Sequence, residues 1–164
     1  FPGYNFDVFT SPDISYEIDV TQPRFNVGDP GKGGYRVKNL TYQGTPVTDI
    51  QEFIVATNNY RAESSARYIL GSGKAFDIIY ASPDANRDVL ISYIKGKRDI
   101  TRAADGSARS WRFTKASTAG KVLFKSGKDA LGVAQAAGVT NVSMDAADDG
   151  TGKYAVYRLD LSKD

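Results

Sequence analysis

The segment Ile14-Ser15-Tyr16-Glu17-Ile18-Asp19-Val20 alternates apolar and polar side chains without a break. No other feature constrains the chain as much. A period of two sets Ile14, Tyr16, Ile18 and Val20 on one face of a strand and leaves the other face to solvent. A sheet with one buried face therefore has to be built around this segment. Thr21-Gln22-Pro23 ends it, because proline cannot continue the ladder. After the glycine-rich turn from Asn26 to Gly34, the run Tyr35 to Tyr42 alternates again, and Gln43-Gly44-Thr45-Pro46 closes it as a turn. Two such runs in succession predict an antiparallel hairpin.

The following segments fill out the sheet and cover it. Glu52-Phe53-Ile54-Val55-Ala56-Thr57 is almost continuously apolar and predicts a central strand buried on both faces. Ala75 to Ala81 reads as a further strand. Ser82-Pro83-Asp84 supplies an N-cap hydroxyl, proline at the first helical position and an early carboxylate. Val89, Leu90, Tyr93 and Ile94 then recur on one face, and Gly96 ends that helix. Trp111-Arg112-Phe113 and Lys121 to Phe124 read as short strands. Ser126 is placed to cap a helix through Ala130, Leu131, Val133, Ala134 and Ala137, stopped at Gly138. Strands around Val142 and from Lys153 to Leu161 flank the turn Asp148-Asp149-Gly150-Thr151-Gly152. The expected class is α+β, a mixed β-sheet flanked by helices. Residues 1–118 form the main unit, and residues 119–164 a strand–helix–strand–strand extension or subdomain.

Composition narrows the chemistry. The 164 residues include no cysteine and no histidine. That excludes a disulfide, a thiol nucleophile, a zinc finger, a Ser-His-Asp triad and a histidine-held metal centre. Carboxylates, lysine, tyrosine and hydroxyls remain for chemistry at neutral pH, which favours a binding domain over a self-sufficient enzyme. The formal net charge of +2 is too small to point to a nucleic-acid polymer or an anionic membrane. No apolar run approaches the roughly 18 residues of a membrane span. The start at Phe1-Pro2-Gly3-Tyr4 lacks an initiator Met and the features of a signal peptide, and reads as a start within a longer protein.

Five groups of residues invite a functional reading. In the loop Asn58 to Tyr68, the Tyr60 ring offers a flat π-face, with Asn58, Asn59 and Arg61 as donors and acceptors around it. The alternative is that Tyr60 and Tyr68 pack and the two asparagines are turn chemistry. Tyr4-Asn5-Phe6-Asp7 is a second aromatic and polar cluster, or else a frayed terminus. Asp145, Asp148 and Asp149 lack EF-hand spacing and a bidentate Glu, so they read as a solvated turn. Gly71-Ser72-Gly73-Lys74 lacks the spacing of a P-loop and reads as a turn. Lys95, Lys97, Arg98 and Arg102 complement the dipole of the helix that ends beside them.

Ile18-Asp19-Val20-Thr21-Gln22-Pro23, Val55-Ala56-Thr57-Asn58-Asn59-Tyr60-Arg61-Ala62, Ala81-Ser82-Pro83-Asp84 and Ser110-Trp111-Arg112 together carry a resemblance. Through them, from about Tyr4 to Phe113, the chain resembles the C-terminal domain of bacterial 2′,3′-cyclic-nucleotide 2′-phosphodiesterase/3′-nucleotidases, within the wider 5′-nucleotidase family. The resemblance implies a hydrolase with divided labour. An N-terminal metallophosphoesterase domain, outside this chain, would hold two divalent metals. This domain would hold no cofactor and would clamp the nucleotide base between two aromatic rings. Tyr60 would be one ring and Phe6, or alternatively Tyr4, the other, with Asn59 and Arg61 shaping the pocket. The fragment alone is expected to be inactive, and the whole enzyme to be periplasmic or at the cell exterior. Ser64-Ser65 replace the family's glycine pair and Ala66 replaces the ribose-binding Asp of 5′-nucleotidases. The arginines that hold substrate phosphate in the family lie upstream of Phe1. The base clamp is thus the contact the resemblance carries over. The rival readings are a 5′-nucleotidase or UDP-sugar hydrolase domain, and a non-enzymatic exported binding module.

Overall fold

The computed structural model describes residues 10–23, 34–59, 78–106 and 108–163. Its strands are β1 (Ile14–Ile18), β2 (Val37–Tyr42), β3 (Thr45–Pro46), β4 (Trp111–Phe113), β5 (Val122–Ser126), β6 (Val142–Ala146) and β7 (Ala155–Leu159). The helices are α1 (Asn86–Gly96), α2 (Arg102–Asp105) and α3 (Ala130–Ala136). The strands form two sheets, ordered β3-β2-β1-β4 and β5-β7-β6. The first is mixed and the class is α+β, as the patterning predicts.

The alternation that opens the chain builds the first sheet. Tyr16 is buried, whereas Ser15 and Glu17 point away from it. β1 pairs antiparallel with β2 and parallel with β4, Tyr16 lying opposite Trp111 and Glu17 opposite Arg112. The parallel pair is pinned at its start by the buried Ser110. Its Oγ donates to the Ser11 carbonyl at 2.8 Å and accepts from the Ser11 N–H at 3.0 Å. The register between β1 and β2 shifts between Ser15 and Glu17. Asn39, on β2 beside that shift, has φ +52°. Two residues of β2 therefore face one of β1 in a bulge, with the extra residue in the left-handed region that Asn tolerates better than most.

The closing turn is tighter than expected. Gln43 and Gly44, with φ +50° and +77°, form a two-residue type I′ loop, whose twist matches the flanking strands. Thr45 and Pro46, placed in the turn by the sequence, instead form β3. Proline is admissible there because β3 is the edge.

Three further expectations are corrected. Glu52–Thr57 is not a buried strand: it carries no regular structure and is exposed, Ile54 to 86%. Its apolar run specifies burial but no partner, and no strand of either sheet pairs with it. Ile78 to Ala81 likewise form no strand, and residues 75–77 lie outside the described residues, as does most of the turn from Asn26 to Gly34. Ser82 does not cap α1. Its hydroxyl accepts from the Asp84 N–H at 3.2 Å and donates to the Asp84 carboxylate at 3.2 Å. This local turn uses the group that would have capped, so the helix starts at Asn86 behind Ala85. Gly96 is its last residue, as the sequence indicates, and Val89, Leu90, Tyr93 and Ile94 form an exposed stripe.

The second sheet follows the predicted strand–helix–strand–strand order. Ser126 does not cap α3, because it is paired with Ala155 in the ladder and Asp129 takes the cap position. The helix stops at Gly138 as predicted. With φ +76°, Gly138 donates to Gln135 and Val139 to Ala134, each at 2.9 Å, which is a Schellman ending. Tyr157, fully buried on the central strand, donates its hydroxyl to the Gly127 carbonyl at 2.6 Å and lies 5.5 Å from the Phe124 ring. A hydrogen bond of 2.9 Å from Ala116 N–H to the Leu161 carbonyl ties the segment after β4 to this unit.

Candidate functional site

Of the five residues the sequence nominates, the described structure holds one. Asn59 is exposed and helical in backbone, at the end of the irregular stretch from Gln51. Tyr60, Arg61, Phe6 and Tyr4 lie outside the described residues, as does Gly71 to Lys74. Asn58, beside Asn59, is half-buried and engaged in a contact.

A cluster that sequence reasoning did not nominate lies on the first sheet. Arg112 on β4 donates through Nε at 3.0 Å and Nη2 at 2.5 Å to Oε1 of Glu17 on β1. The Asn39 amide at the bulge donates to the other oxygen at 3.1 Å. The Arg112 bonds foremost, with its charge and the Asn39 amide behind them, hold the Glu17 carboxyl below the usual carboxylate range. Beside them the hydroxyls of Ser15 and Thr41 bond at 3.0 Å. These groups, with Arg109, line a concavity of about 320 Å³. A smaller one, of about 190 Å³, lies between Asn141, Ser143, Arg158 and Lys163 at the end of the second sheet.

The basic residues at the end of α1 are only partly a dipole complement. Lys95 occupies the last turn of the helix, but Lys97 reaches on to Asp105 at 3.1 Å. Tyr93 donates its hydroxyl to the same carboxylate at 2.6 Å and the Thr101 N–H donates at 2.9 Å. These bonds, the Tyr93 one foremost, pull the Asp105 carboxyl down to about 2. Asp105 also raises the Lys97 ammonium. The Thr101 hydroxyl in turn accepts from the Ala104 N–H at 3.1 Å, so α2 starts with a reciprocal cap.

The aspartates near the β6–β7 turn are accounted for by lysines and backbone. Asp145 pairs with Lys121 at 2.6 Å, Asp149 with Lys125 at 3.0 Å and Asp148 with Lys128 at 3.0 Å. Asp148 also accepts from the N–H groups of Gly150 and Gly152, and Asp149 from the N–H and hydroxyl of Thr151. Among the described residues, no helix is long and apolar enough to cross a membrane.

Comparison with known proteins gives this framework a setting. The family described as "5′-nucleotidase, C-terminal domain" matches residues 2–70. The chain is 36% identical to the 2′,3′-cyclic-nucleotide 2′-phosphodiesterase/3′-nucleotidase of Haemophilus influenzae, over 99% of its own length and 25% of the relative's. It is 38% identical to the protein of that name from Salmonella typhimurium, with the same two coverages. The Yersinia enterocolitica protein of that name is 40% identical over 68% of the chain and 17% of the relative. The chain thus spans about a quarter of the length of the first two curated relatives. No solved structure matches it.

Proposed function

The chain belongs to the 5′-nucleotidase C-terminal-domain family, and on that premise we propose that it is the base-recognition part of a phosphoesterase that hydrolyses 2′,3′-cyclic nucleotides and 3′-nucleotides. One observation carries the reading. The span matched by the family, residues 2–70, includes Tyr4, Phe6, Asn59, Tyr60 and Arg61 together. These are the aromatic and hydrogen-bonding residues a base clamp needs.

In this reading Tyr60 stacks on one face of the base and Phe6, or Tyr4, on the other. Asn59 and Arg61 supply donors and acceptors at the base edge. Stacking on each ring contributes about 1–3 kcal/mol and is tolerant of base identity. Two divalent metals, held in a metallophosphoesterase domain outside this chain, would supply the activated water and stabilise the attacking and leaving oxygens. This chain's residues bind and orient the nucleotide and transfer no proton. Residues 1–118 are the recognition unit, residues 119–164 an extension of it, and the whole enzyme acts in the periplasm or outside the cell.

The test is a titration of adenosine and 3′-AMP into the chain, followed by amide shifts in NMR. Saturable shifts centred on Asn58 to Tyr68 are expected, and Tyr60→Ala should weaken binding about ten- to a hundredfold. Wild-type shifts that are equally strong in Tyr60→Ala would overturn the clamp. Turnover of a cyclic nucleotide by the purified chain in Mn²⁺ would overturn the division of labour.

A further inference from the structure

We draw no further inference here: the strongest candidate, the exposed apolar stripe of Val89, Leu90, Tyr93 and Ile94 along α1, carries none because nothing among the described residues shows what covers it.

Discussion

The Tyr93 hydroxyl, on α1, donates to the Asp105 carboxylate, on α2, at 2.6 Å. That bond, with those from Thr101 and Lys97, ties the two helices together around a carboxylate whose side chain is 3% exposed. Its charge has a defined pH window. The Asp105 carboxyl is lowered to about 2 from an ordinary value of 3.8. A depressed acid stabilises the fold fully above the unfolded value and loses that contribution as pH falls through the folded one. The α1–α2 junction should therefore hold above about pH 4 and loosen between about pH 4 and pH 2. Amide shifts of Thr101 and Asp105 followed through acid titration check this. A midpoint near 4 would show that the Tyr93 bond does not form.

Gln43 sits at φ +50° in a type I′ turn that favours Asn-Gly. Gln43→Asn should stabilise the chain by about 0.5 kcal/mol, measured as the midpoint of a urea melt. A lower midpoint would contradict the assigned turn.

Tyr157→Phe removes the hydroxyl that satisfies the Gly127 carbonyl, without changing the ring that packs on Phe124. The expected loss is about 1–2 kcal/mol, read as a lowered thermal midpoint with unchanged near-ultraviolet dichroism. A neutral substitution would mean that water reaches Gly127.

Asp149 and Asp145 each pair with a lysine, but the Asp149 side chain is 2% exposed and that of Asp145 is 20% exposed. Thr151 foremost, then Lys125, hold the Asp149 carboxyl well below the usual range. Asp149→Asn should therefore lower the thermal midpoint more than Asp145→Asn, since exposed pairs contribute little. Equal effects would place both pairs in the exposed class.

How much of this was legible in the sequence depends on range. β1, β4 and the whole β5–α3–β6–β7 series follow from alternation and punctuation, because those signals are local. Glu52–Thr57 failed because a run of Phe53, Ile54 and Val55 states a need for burial without naming a neighbour. The Ser82 cap failed because a hydroxyl two residues before Asp84 has a nearer bond to make. The cluster of Glu17, Asn39 and Arg112 was missed for a third reason. Its members lie on three strands, and the Glu17–Arg112 contact spans 95 residues, a parallel register that no periodicity encodes. One signal was present: an asparagine within an alternating strand, which is a residue suited to a bulge. Of the base clamp, the described structure speaks to Asn59 alone.

The parallel pairing of β1 with β4 also sets an order of events in folding. Joining Glu17 to Arg112 closes a loop of 95 residues, and the entropic cost of closure grows with loop length and must be met before the pairing rewards it. The β5–β7–β6 sheet closes within residues 122–159 and bears no such delay. Refolding should accordingly run from the carboxyl end, with the second sheet and its Tyr157 core formed first. β4, tethered next to it through Ala116 and Leu161, then waits as the template on which β1 is captured.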